Sequence, residues 1–252
     1  MLDIIELIHW GALFQIVLID ILLGGDNAVV IALACRNLPE NRRTQGIVWG
    51  TAGAIVLRII LIAFALSMLQ LPFIKLLGGI LLVWIGIKLL IPEVHDHKQT
   101  NVGFTLASAI KTIIVADFVM SLDNVIAIAA AASHADTSHQ LYYVTFGLVL
   151  SVPIIVWGST IVLKLIDKFP IVVILGAALL GWIAGGMVIT DVFVIQQLST
   201  LPYSGLVVEA PDAINGVAAS YIVKILCELL GAIFVVLAGM LISKRKRVKV
   251  QS

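Results

Sequence analysis

The 252 residues are 61% hydrophobic and 12% charged, with a mean hydropathy of +1.12 and a formal net charge of +1. A soluble domain is roughly half apolar and about a quarter charged, so this chain is not built to fold as a water-soluble globule. Its near-neutral balance gives no electrostatic reason to expect a nucleic-acid partner.

Seven apolar stretches reach or approach the roughly 20 residues a helix needs to cross a hydrocarbon core of about 30 Å: 9–34, 45–69, 73–91, 106–132, 141–163, 170–190 and 221–242. They predict an all-α polytopic membrane protein of about seven transmembrane helices, set in the lipid bilayer. The first stretch follows Asp3 and Glu6 instead of a basic segment and ends in no small-residue cleavage site, so it is expected to be retained. Cys35 and Cys227 lie in or beside different spans and read as small apolar fillers, not a disulfide. The tail Lys244, Arg245, Lys246, Arg247 and Lys249 belongs in the cytoplasm by the positive-inside rule, which puts the N-terminus outside. That topology places Arg36, Arg42, Arg43, Lys98, Lys164 and Lys168 in or beside cytoplasmic loops. It also leaves the loops 133–140 and 191–220 without Lys or Arg; Lys75 is the exception.

The chain repeats itself. Ile16, Asp20, Asp26, Asn27, Ile31 and Ala32 recur 97 residues later as Ile113, Asp117, Asp123, Asn124, Ile128 and Ala129, and Gly50 recurs as Gly147. With a shift of one residue, Pro72, Gly78 and Trp84 fall on Pro170, Gly176 and Trp182. A repeated unit with an odd number of spans enters the membrane from opposite sides, giving the inverted 3+3 architecture of secondary transporters. The expected organisation is a first three-helix repeat over 1–95, a second, inverted one over 96–195, an extracytoplasmic loop over 196–220, a seventh helix over 221–243 and a basic tail over 244–252.

Asp20 and Asp26 straddle the middle of the first span, and Asp117 and Asp123 the middle of the fourth, with no adjacent base. A central Asp facing lipid costs roughly 2.5–3.5 kcal/mol, so these side chains must face one another, water or a cation. Gly24-Gly25 just before Asp26-Asn27 lowers the cost of breaking the first span; Met120-Ser121-Leu122 lacks glycine, and a mild kink is the alternative there. Four carboxylates and two carboxamides form a hard oxygen set suited to Mn²⁺, Ca²⁺ or Mg²⁺. No His lies at span depth beyond the edge residue His9, which argues against Zn²⁺ or Cu⁺. A buried carboxylate can alternate between a proton and a metal, so exchange against protons is a hypothesis to carry forward. The other use of such acids is a hydrogen-bonded polar core with no transported ion.

Arg58, mid-way along the second span, reads as an ion-pair partner for one of these carboxylates. Lys224 and Glu228, four residues apart in the seventh span, are expected to satisfy each other. Asp191, Glu209 and Asp212 read as solvated acids at or in an outer loop, with a weakly attractive mouth as the alternative. His95-Asp96-His97 and His134, Asp136 and His139 read as hydrated loops, with metal capture as the alternative. Gly46-x3-Gly50 and Gly181-x3-Gly185 allow close helix packing within the protomer or in a homodimer.

The segments Gly24-Gly25-Asp26-Asn27-Ala28 and Ser121-Leu122-Asp123-Asn124-Val125 resemble the paired motifs of the TerC family of bacterial integral membrane proteins, and the resemblance runs over essentially the whole chain. It implies an inner-membrane protein of metal homeostasis, with manganese efflux as the activity and tellurium resistance as a historical label; separately, no nucleophile with a partner base and no His-rich cluster lies at span depth, which argues against an enzyme. It implies no resident cofactor: manganese is the transported substrate. The family's acidic residues map onto Asp20, Asp26, Asp117 and Asp123, completed by Asn27 and Asn124. The competing readings are a membrane scaffold without transport and an exporter of a small organic cation.

Overall fold

A computed structural model describes residues 10–68, 72–91, 105–132, 140–201, 205–210 and 216–251. The chain is an all-α membrane protein. Its helices are α1 (Trp10–Leu23), α2 (Gly25–Cys35), α3 (Glu40–Met68), α4 (Ile74–Leu90), α5 (Leu106–Ala132), α6 (Gln140–Lys168), α7 (Ile171–Ile189), the short α8 (Val192–Ser199) and α9 (Tyr221–Gln251). Strands β1 (Val207–Glu209) and β2 (Val217–Ala219) pair antiparallel between α8 and α9, with Val208 opposite Ala218. Among the described residues, segments of α3, α6, α7 and α9 are long and apolar enough to cross a membrane.

The distribution of side chains is that of a protein solvated by lipid. Phe14, Trp157 and Leu230 are each about two-thirds exposed, while Asp20, Asn27, Arg58, Asp117, Ser121, Ser151 and Ser159 are buried. Water would reward the opposite arrangement. In lipid, the polar groups must find partners inside the bundle.

Helix packing exchanges the two repeats. The first helical segments, α1 and α2, lie against α6; α5 lies against α3; and α4 lies against α7. Two glycine contacts show the relation atom by atom. A Cβ on Gly50 would run into the side chain of Ile113, and a Cβ on Gly147 into that of Ile16; these two pairs are each other's counterparts in the 97-residue repeat. The first unit's opening helix thus seats on the second unit's middle helix, and the reverse, as a pseudo-two-fold arrangement requires.

The glycine pair does break the first span. α1 ends at Leu23, Gly24 adopts φ −99° and ψ 3°, and α2 starts at Gly25. A Cβ at Gly24 would collide with the carbonyl oxygen of Asp20, so the bend is open only to glycine. The second repeat has no such break, because α5 continues through Met120, Ser121 and Leu122.

α9 packs on α7 and α4. Gly181 and Gly185 of α7 face the backbone of Gly231 and Cys227 so closely that no side chain fits between them; this Gly-x3-Gly pair is used within the protomer. Hydropathy placed a helix over 221–242 and a tail after it. The helix instead continues to Gln251, because Lys and Arg are good helix formers and hydropathy detects only the apolar part.

Candidate functional site

Three helices meet at a buried ion triad. Arg58 of α3 donates from Nη1 to Asp20 Oδ1 of α1, from Nη2 to Asp117 Oδ1 of α5, and from Nε to Ser121 Oγ at 2.9 Å. Ser121 donates in turn to Asp117 Oδ2 at 3.1 Å, one helical turn away, and Ser151 of α6 donates to Asp20 Oδ2. All three guanidinium nitrogens are used, and each of the four carboxylate oxygens accepts a hydrogen bond. The Arg58 and Asp20 side chains are each 2% exposed, so the pairing is withdrawn from solvent.

The geometry follows from the repeat. Asp20 and Asp117 are counterparts, one on each opening helix, and those two helices pack against each other. Arg58 has Ile155 at the matching position, so one guanidinium serves two equivalent carboxylates. The sequence indicated a single partner for Arg58; the structure supplies two. With both acids ionised the triad carries one net negative charge.

The second tier lies at the break. Asp26 is half-buried in the first turn of α2, where a carboxylate offsets the positive end of the helix, and its Oδ1 accepts from the Asn27 backbone N–H at 2.8 Å. Asn27 is 3% exposed, yet neither its Oδ1 nor its Nδ2 has a hydrogen-bond partner among the described residues. Leaving such a group unpaired costs roughly 1–3 kcal/mol. Thr51 Oγ1 on α3 is buried and unpartnered in the same way.

Asp123 and Asn124 sit on α5, but their side chains lie outside the described residues. Of the six candidate ligands, then, the structure brings Asp20 and Asp117 together through Arg58, and sets Asp26 and Asn27 side by side without a direct bond to the triad. No group of three or more His, Cys, Asp or Glu side chains that could hold a metal occurs among the described residues. Ser121 and Ser151 were not marked as site residues by sequence; a hydroxyl near mid-span in an apolar helix was the available signal.

The peripheral features divide. Asp191 is not a solvated loop acid: it is 1% exposed, and its carboxylate accepts from the backbone N–H groups of Phe73 at 3.2 Å, Leu76 at 3.1 Å and Phe193 at 2.9 Å. It caps α8 and clamps the start of α4, where Phe73 takes a left-handed φ of 70°. Lys224 and Glu228 do pair, at 3.9 Å. Cys35 and Cys227 are both free thiols. Glu209 is exposed on β1, whereas Asp212, His95, Asp96, His97, His134, Asp136 and His139 lie outside the described residues.

Residues 5–247 match the model of the integral membrane protein TerC family. The chain is 45% identical over 180 residues to the membrane protein YjbE of Bacillus subtilis, covering 71% of this chain and 80% of that one. It is 28% identical over 173 residues to the membrane protein YceF of the same organism, covering 65% of each. Against the inner membrane protein YgdQ of Escherichia coli K12 it is 26% identical over 189 residues, covering 68% of this chain and 77% of that one. No solved structure matches. A match over nearly the full length, on a helical bundle with charged and polar side chains buried in its interior, makes this chain a member of the TerC family of integral membrane proteins.

Proposed function

We propose that this chain is a membrane transporter that exports divalent metal ions, manganese foremost, from the cytoplasm through the Asp/Asn motifs of its two repeats. The observation that carries the reading is the Asn27 carboxamide, buried and without a partner among the described residues, beside the Asp26 carboxylate at a helix break. A hard divalent cation takes oxygen ligands, and Asp26 Oδ2, Asn27 Oδ1 and carbonyl oxygens freed where a helix is interrupted are of that kind. Asp123 and Asn124 supply the same donors in the second repeat. The chain sits in the inner membrane with its C-terminus in the cytoplasm, as its charge pattern favours.

In this account Arg58 is the resident counter-cation. It gives the buried Asp20 and Asp117 carboxylates a counter-charge while the metal is absent, and metal entering at Asp26 and Asn27 competes with the guanidinium for the carboxylates' field. Proton exchange would enter through the same acids. One observation favours a non-transporting scaffold: the triad is already satisfied, as a purely structural polar core would be.

Equilibrium binding separates the two. In detergent solution, free Mn²⁺ is followed by its paramagnetic resonance signal as protein is added. The wild type is expected to deplete the signal, and Asp26→Asn to bind at least about tenfold more weakly, the loss of one charged ligand. A wild type that leaves the Mn²⁺ signal unchanged removes the transporter reading and favours the scaffold.

A further inference from the structure

At the end of the bundle that the charge pattern places in the cytoplasm, a cavity of about 370 Å³ opens between four helices. Its walls come from the residue that follows α2 (Arg36), the end of α4 (Leu90), the start of α7 (Val173) and the last third of α9 (Met240, Ser243, Lys244). Two cations and a hydroxyl stand at an otherwise apolar cavity, and no carboxylate is among the described residues that line it. That volume is in the range of small-ligand sites.

The basic groups here are not equivalent. Arg43, nearby in sequence, is committed to Asp167 at 2.6 Å and to two backbone carbonyls. The Arg36 guanidinium has no hydrogen bond or ion pair among the described residues. Burial pushes its pKa below the ordinary arginine value, the mark of a cation partly stripped of water, with no anion among the described residues to offset it. Met240, at the lip, is 41% exposed and continues a stripe of exposed side chains up α9: Leu237, Ile233, Leu230 and Leu226. Their spacing of three and four residues puts them on one helix face, so an apolar track leads from the cationic cavity along the lipid-facing surface.

We infer that this cavity is a binding site for an anionic phospholipid of the inner leaflet, its phosphate held by Arg36, Lys244 and Ser243 and an acyl chain laid along the Met240 to Leu226 face of α9. Basic cavities between transmembrane helices on the cytoplasmic side are where such headgroups bind. A free anion would need the two cations but not the apolar track. A second copy of the chain would cover the track but leave Arg36 without its counter-charge. The lipid would bridge α2, α4, α7 and α9, fastening the seventh span to both repeats. The inference is independent of what the protein transports.

Native mass spectrometry of the purified protein tests it, with phosphatidylglycerol and phosphatidylcholine of identical acyl chains offered in competition. Two interfacial cations predict about a thirtyfold preference for phosphatidylglycerol. That preference should vanish in Arg36→Gln/Lys244→Gln, persist in Arg36→Lys/Lys244→Arg, and persist in Arg245→Gln, which removes a neighbouring charge not found among the cavity's lining residues. Equal retention of the two lipids by the wild type overturns the inference without recourse to any variant. So does undiminished preference in the Gln double variant. Displacement of the lipid by millimolar inorganic phosphate would make the cavity a free-anion site, and a lipid-free dimer that excludes phosphatidylglycerol would make it a protein interface; either result also overturns it.

Discussion

Replacing Arg58 by Met keeps an unbranched apolar stem and removes the charge and all the donors. Among the described residues, Asp20 would retain only the Ser151 hydroxyl, and Asp117 only that of Ser121. Removing one partner from a buried ion pair costs about 3–5 kcal/mol, because the remaining charge is left uncompensated; protonation of a carboxylate limits the loss to the lower part of that range. The expected shift in the folding equilibrium is therefore two to three orders of magnitude. Denaturant titration in detergent micelles measures it, with the five tryptophans as the signal. The informative control is the triple variant Arg58→Met/Asp20→Asn/Asp117→Asn. Removing all members of a buried ionic group together is often neutral, so the triple variant should recover to within about 1 kcal/mol of wild type. Arg58→Met as stable as wild type, or a triple variant no better than Arg58→Met, would refute the idea that the three charges form one energetic unit.

Ser151 and Ser159 are both fully buried on α6, yet only Ser151 reaches a carboxylate, while Ser159 bonds the Ile155 carbonyl of its own helix. Ser151→Ala should cost about 1.5–3 kcal/mol and Ser159→Ala about 1 or less in the same titration. Asp191→Ala frees three backbone donors at two helix starts and should cost about 2–4 kcal/mol, with faster hydrogen exchange at Phe73, Leu76 and Phe193 as its local signature. Gly50→Val and Gly147→Val introduce the same overlap at pseudo-equivalent contacts and should each cost about 1–3 kcal/mol; thermal melts in which one is neutral and the other severe would count against the pseudo-two-fold packing.

The helices were legible because a membrane makes hydropathy nearly sufficient. The expected spans 73–91 and 106–132 correspond to Ile74–Leu90 and Leu106–Ala132. Where they diverge, helices outrun their apolar windows: α3 starts at Glu40 and α6 reaches Lys168, because polar residues prolong a helix into the interface without raising hydropathy. The break at Gly24 was legible because two glycines precede an acid in a span. The Arg58 bridge was only half legible. Sequence gives the depth of a charge in the bilayer, but the approach of α1 and α5 around α3 is a product of packing between repeats. Asp191 was misread for a similar reason: its donors, Phe73 and Leu76, lie more than a hundred residues away, and nothing local marks the residue as buried. The hairpin of β1 and β2 carries too few residues to leave a periodic signal.

The central claim is that metal crosses at the duplicated Asp/Asn motifs. Uptake of Mn²⁺, Ca²⁺ and Mg²⁺ into vesicles reconstituted with the purified protein tests it most directly, with the Asp26→Ala/Asp123→Ala variant, matched for insertion, as control. The account predicts Mn²⁺ flux through the wild type and none above protein-free vesicles through the variant. Undiminished flux in the variant would contradict the site, and no flux of any of the three ions through well-inserted wild type would contradict the transporter itself.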